Sequence, residues 1–553
     1  MNNSEPTPTT PTLMYRRTKK NAVNFLVLLG LISMLPGIHA GEKSQTGGPF
    51  APIQPPPKQT RLGMNFNQLA DWNTELPLVD VFHEARAWIS QQEGVAWGKG
   101  PALDLDAQGW IKSLAPGAHA MTCLLTIPDE HAPAGLYTVL YDGEGEITFR
   151  QATAVESGPG RIVIEVGKKG NVWLEIRQTN PANYIRNIRV IRPGFEASYA
   201  TQVFDPGFLE RWKGVTCIRF LGWMDTNGST LSKWEDRPKL DDAIWTKKGK
   251  GAPVEVMVDL CNRQLADAWF LMPHMADDDF VENFARLVKE RLDPRLRVYV
   301  EYSNEVWNGS FEQNRYAAAK GKELVLGDAD KPWVGAGLYH VRRSMEIMKI
   351  WERAFGGTER LVRVLAWQAT GPWWLNNILL TSDEQNASFD AYAIAPYLAL
   401  MPTATSSPSS AEVAGWTADQ VLDHLEGVVF PEVVNVLRTT AEAATRHGLA
   451  LITYEGGQHL LAPGAENKNA QLVEVLRSAN AHPRMGEIYK KYYAAWQEAG
   501  GGLFCPWIST GDWTVHGSWG LLRFADQKPD DVAKCRATLD WAKSLGQQVG
   551  TWR

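Results

Sequence analysis

Residues Val298–Phe311 read VYVEYSNEVWNGSF, a strand-like run that carries two glutamates and leaves through Asn-Glu into Trp-Asn-Gly. A buried strand excludes carboxylates unless they are paired, because an uncompensated buried charge costs several kcal/mol. The period-2 alternation of a strand places Tyr299, Glu301, Ser303 and Glu305 on one face. Glu301 therefore lies deeper than Glu305, and only Glu305 stands at the exit. The chain must supply a partner for the first and a reason for the second.

The segments around this run repeat its texture. Apolar stretches VTCIRFLGW, VEVMVDLC, LVRVLAWQ, FDAYAIAPY, LALITYEGG and GLFCPWIST alternate with amphipathic ones such as DDDFVENFARLVKERL, VRRSMEIMKIWERAF and MGEIYKKYYAAWQEA. Counting RLGMNFNQLADW near Gly63, eight near-continuous apolar strands precede helices. That pattern predicts an α/β fold, a (β/α)8 TIM barrel. A doubly wound sheet is disfavoured, since no Gly-rich phosphate loop opens any of the helices. Between Leu103 and Ile191, short alternating runs (GLYTVLYDGEGEITF, RIVIEVG, NVWLEIRQ, NYIRNIRVI) are separated by Gly, Asn and Pro turns and predict a small inserted β-sandwich.

The boundaries expected are residues 41–60 as a Pro/Gly-rich linker, 61–102 as the first βα unit with a helix over VDVFHEARAWIS, 103–193 as the insert and 194–553 as the rest of the barrel. Ahead of them, Arg16–Lys20 (RRTKK), the apolar Ala22–Leu35 and a small-residue cut after Ala40 predict a signal peptide over 1–40, with Met1 or Met14 as the start. The apolar run falls short of the ~20 residues of a membrane span. The expectation is a secreted or periplasmic bacterial protein with no membrane association after cleavage.

The composition gives no support to nucleic-acid binding: the net charge is -6 in 553 residues. Five cysteines (Cys123, Cys217, Cys261, Cys505, Cys535) form no CxxC pair, so neither a zinc site nor a disulfide framework is indicated. His83-Glu84 is not HExxH, because Ala87 occupies the second histidine's place. Strand one offers Asn65 and Asn67 instead of a metal-binding HxH. No metal and no cofactor is expected, and nothing in the chain specifies an oligomeric state.

Reactive residues of such barrels sit at the C-terminal ends of strands. Those ends give Arg219 and Trp223 on strand two, His274 after strand three, Asn304, Glu305 and Trp307 on strand four, Tyr397 after strand six, Glu455 on strand seven and Trp507 on strand eight. Glu305 and Glu455 would face each other across the mouth, and paired carboxylates are what glycoside hydrolysis requires. Tryptophans beside them (Trp223, Trp307) offer flat apolar faces to sugar rings. His274 either lines the site or belongs to a helix-capping loop with Asp277–Asp279. Arg219 is the candidate partner for Glu301, in competition with Glu455.

The SNE exit and the strand-seven glutamate resemble clan A of the retaining glycoside hydrolases. DWNTELPLVDVFHEARAW and EYSNEVWN are also similar to exported bacterial proteins described as cellulose-binding or glycosidase-like. The resemblance covers roughly residues 60–102 and 194–550 and rests on strand-end positions. It implies Glu305 as acid/base, Glu455 as nucleophile and Asn304 as ligand of the sugar 2-hydroxyl. It further implies Arg219 holding the nucleophile ionised, Tyr397 orienting it, and Trp507 flooring the cleavage subsite. The departure is ITYEGGQHL, which fits its role less distinctively than strand four does. The expected substrate is a β-linked poly- or oligosaccharide of cellulose or hemicellulose type. The alternative is a non-catalytic carbohydrate-binding protein on the same barrel.

Overall fold

A computed structural model describes residues 51–328 and 330–552. The expected signal peptide and the first half of the linker lie outside the described residues.

Eight parallel strands build the central sheet. They are Arg61–Leu62 with Met64–Asn65, then Cys217–Arg219, Asp267–Met272, Val298–Tyr302, Leu361–Ala366, Ala391–Ile394, Ala450–Thr453 and Leu503–Phe504. They are called barrel strands one to eight below. The two halves of strand one stand at opposite ends of the sheet order, one paired with strand eight and the other with strand two. The sheet thus curls round to meet itself at Gly63, whose N–H donates to Phe504 O at 2.8 Å. Only glycine passes here: a Cβ would stand 2.6 Å from Cys505 Sγ and 3.1 Å from Cys217 O.

One expected strand folds as helix. VEVMVDLC lies in the helix Val254–Gln264, and strand three is the following DAWFLM, Asp267–Met272. The β-branched run alternates acceptably for a strand, but Val254, Met257, Val258 and Cys261 recur at helical spacing and bury together. Pro253 opens that helix, and Leu265 closes it in a left-handed conformation at φ 51°. Helices Asp278–Arg291, Pro332–Phe355 and Pro483–Glu498 form where their periodicity predicts.

The segment after strand one also departs from expectation. VDVFHEARAWIS forms no barrel helix. Val81–Glu84 is a single 3₁₀ turn capped by Asp80, and Ile89–Gln92 is a strand. That strand pairs antiparallel with Ala118–Leu124 and joins Val172–Thr179 and Gly145–Arg150 in a four-stranded sheet. A second antiparallel sheet contains Arg186–Ile191, Gly135–Asp142, Arg161–Val166 and Ala152–Gly158. The sheets begin ahead of the boundary expected at residue 103. Tyr137, Val139 and Ile164 of one sheet share a buried cluster with Leu124, Leu174 and Ile176 of the other. Val81, Phe82 and Phe524, from loops that leave barrel strands, enter the same cluster.

All five cysteines are buried and unpaired. Among the described residues, no helix is long and apolar enough to cross a membrane.

Candidate active site

Strand four is buried along its whole length, and its exit bends sharply. Ser303 (φ 58°) and Glu305 (φ 42°) both adopt the left-handed region. Non-glycine residues held there cost of order 1–3 kcal/mol each. Past that bend Glu305 is partly exposed, whereas Glu301 is fully buried.

Arg219 at the end of strand two is the partner of the buried Glu301. Its guanidinium is fully buried and contacts two carboxylates, Glu301 inside strand four and Glu455 at the end of strand seven. Nε donates to Glu301 Oε2 at 3.1 Å and Nη2 to Glu301 Oε1 at 3.2 Å, while Nη1 donates to Glu455 Oε1 at 3.2 Å. Nη2 also reaches Asn304 Oδ1 at 2.9 Å. The indole N–H of Trp269 gives Glu301 a further donor at 2.9 Å. Expected as a choice between two partners, Arg219 serves both, because its five donors fan out in one plane.

The two exit glutamates have unequal surroundings. Glu455 accepts from Arg219 and from the Tyr397 hydroxyl, at 2.8 Å on Oε2. Glu305 accepts from two neutral groups, Asn308 Nδ2 at 2.9 Å and Tyr454 OH at 3.3 Å. Burial pushes the Glu305 carboxyl up to about 8, and the nearby Glu455 charge adds to that rise. Burial raises Glu455 too, but there Arg219 and Tyr397 oppose it. Glu455 therefore gives up its proton first and Glu305 holds its own.

The remaining candidates divide. Trp307 donates its indole N–H to Tyr454 OH at 3.3 Å, beside Glu305. Trp507 is partly exposed; its backbone N–H donates to Gly456 O at 3.0 Å, and its peptide bond to Ile508 is cis. Asn304 is held on both sides, with Nδ2 donating to Asn227 Oδ1 at 3.0 Å. Trp223, in contrast, is buried between Phe204 and Phe220 with its N–H spent on Asn67 O, so its ring is a packing element. His274 is also buried. Its ring packs edge-on against Tyr316, and it lines a separate cavity of about 590 Å³ with Asp277–Asp279. Asp277 caps the helix that follows, as the capping alternative required.

Three site residues, Asn65, Asn227 and Gln313, escaped the sequence reading. Asn65 donates to Tyr454 O at 2.8 Å and accepts from Arg219, tying strand one to strand seven. Asn227 and Gln313 clamp Asn304, with Gln313 Nε2 donating to Asn304 O at 2.8 Å. Asn65 ends a strand and could have been found by the rule that found Arg219; Asn227 and Gln313 lie on a loop and a helix and carried no such signal. His459 packs edge-on against Tyr397 at 4.9 Å, with Nδ1 accepting from Trp519 Nε1 at 3.2 Å.

No family model matches this chain, and no curated protein does. Among solved structures, a Bacteroides uniformis β-glucuronidase is similar at 10% identity and TM-score 0.31, over 80% of this chain and 51% of that one. A 4-O-α-L-rhamnosyl-β-D-glucuronidase from Fusarium oxysporum overlaps at 11% identity and TM-score 0.37, over 60% of this chain and 62% of that one. A GH53 catalytic domain from Ignisphaera aggregans does so at 14% identity and TM-score 0.33, covering 61% and 88%. The chain thus spans about half and about three fifths of the first two. Overlaps this loose transfer no chemistry, so any function must be argued from this chain's own residues.

Proposed function

We propose that the protein is an exported glycoside hydrolase that cleaves β-linked poly- or oligosaccharides by retaining double displacement, as the clan A resemblance implies. The observation that carries this reading is the pair at the exits of strands four and seven: Glu455 accepts from the Arg219 guanidinium and the Tyr397 hydroxyl, while Glu305 accepts from neutral groups alone and burial pushes it up to about 8.

In the first step, Glu305 donates its proton to the glycosidic oxygen as the C1–O bond breaks, and a Glu455 oxygen bonds to C1. In the second, Glu305, now a carboxylate, takes a proton from water. The water oxygen bonds to C1 and the C1–Glu455 ester breaks. Asn304 keeps one amide N–H free for the sugar 2-hydroxyl, since its oxygen is taken by Arg219 and its other N–H by Asn227. Trp507 and Trp307 supply the aromatic faces. The two antiparallel sheets are read as an accessory β-sandwich inserted in the barrel. Export rests on the basic, apolar, small-residue order of residues 16–40.

The pH profile tests the acid assignment. Glu305 is protonated and competent below its raised value and ionised above it, so kcat/KM falls as pH rises through about 8. It also falls at acid pH, where Glu455 takes up a proton. A profile still rising through pH 9 on a substrate with a poor leaving group would remove Glu305 from the acid role.

A further inference from the structure

The outer face of the sheet Ile89–Gln92, Ala118–Leu124, Val172–Thr179 and Gly145–Arg150 is a second built surface, sharing no residue with the glutamate pair. Leu174 and Ile176 point into the buried cluster, so Trp173, Glu175 and Arg177 point outward. The register sets Glu175 opposite Met121 and Thr148, and Trp173 opposite Arg150. Together with His119 and Glu146, these polar groups line a cavity of about 940 Å³.

Glu175 is buried on this outward face. Arg150 and Arg177 lie over it from either side and pair with it, their own side chains half open to solvent. The imidazole Nε2 of His119 is buried and has no hydrogen-bond partner. At one end of the face, Trp173 meets Trp97 edge-on at 5.5 Å, and Trp97 is 57% exposed. An indole left in water beside a preorganised polar surface is a standing stacking platform.

Charge decides among ligands. Two arginines face two glutamates, Glu175 and Glu146, and burial lowers the His119 pKa. With Glu175 buried and neutralised under Arg150 and Arg177, the charges open to a ligand are these two guanidiniums and Glu146, so a polyanion would meet one carboxylate and a polycation both guanidiniums. A neutral polyhydroxylated chain meets paired donors and acceptors and an apolar ring face. We infer that this sheet face is a binding site for a neutral glycan chain, with a sugar ring stacked on Trp97 and hydroxyls bonded to Arg177, Glu146 and His119.

Affinity electrophoresis of the full chain in gels containing hydroxyethylcellulose, galactomannan, arabinoxylan or polygalacturonate tests this. At least one neutral polysaccharide should retard the parent. Trp97→Ala should weaken that retardation about tenfold, and Glu146→Ala should weaken it as well. Both substituted positions are exposed, so folding is not at stake. Hydrolysis of a small aryl glycoside should be the same in Trp97→Ala as in the parent, which separates this site from the catalytic reading. The inference is overturned if Trp97→Ala is retarded like the parent, if polygalacturonate retards more strongly than every neutral polymer, or if no polymer retards the parent.

Discussion

Glu455→Ala lowers kcat/KM on any cleavable glycoside by on the order of 10⁴-fold or more, the scale on which a lone nucleophile acts when the rest of its machinery is intact. The side chain lost is small and lies at a strand exit. Its removal leaves Arg219 still paired with Glu301 and with Asn304, so the fold holds. Added azide should restore turnover of activated substrates, because it enters the vacated space, attacks C1 and yields a glycosyl azide of inverted configuration. Loss without azide rescue would indicate a positioning role for Glu455 instead. Near-full activity would remove it from the mechanism, and the alternative of a binding protein on this barrel would gain. The measurement is steady-state kinetics with and without azide, beside a melting curve.

Arg219→Met is expected to cost stability as well as activity. The guanidinium is the counter-charge for Glu301 and Glu455, both buried. Breaking a buried pair by removing one partner costs about 3–5 kcal/mol. The sign of its pH dependence follows. Without the cation, both glutamates titrate in the folded state above their unfolded value of about 4.3. A group with a raised folded pKa contributes fully only below its unfolded pKa, and that contribution is lost as pH rises. The melting temperature of Arg219→Met should therefore fall further below the parent's at pH 8 than at pH 5. Adding Glu301→Gln should recover part of the loss, since it removes one orphaned charge. A deficit that is small, or equal at both pH values, would contradict the counter-charge role.

The strand-end residues were legible because two simple rules fix them. Position along strand four separates Glu301, inside it, from Glu305, past its end, and the barrel places Arg219, Glu305, Tyr397 and Glu455 at one rim. What was not legible has physical causes. Val254–Val258 satisfies strand and helix patterns alike over a short run, and the buried face at helical spacing decided for helix. Ile89–Gln92 is four residues of mixed polarity whose strand state depends on pairing with Ala118–Met121, distant in sequence. Trp223 sits at a strand end but is turned inward by Phe204 and Phe220, and residue type alone cannot tell a stacking platform from a packed ring. Asn227 reaches Asn304 only because a loop returns to it. The charge environment that separates Glu305 from Glu455 also depends on atoms: a guanidinium and a phenol on one, an amide and a phenol on the other.

The most direct test of the central claim is to trap the covalent intermediate. The chain is incubated with 2-deoxy-2-fluoro-β-glycosyl fluorides of glucose, mannose and xylose, digested, and analysed by peptide mass spectrometry. The account predicts one sugar mass on the peptide carrying Glu455, and no label in Glu455→Gln. Sugar on a different residue, or hydrolysis of a β-glycoside with inversion at C1 and no trapped ester, would contradict it.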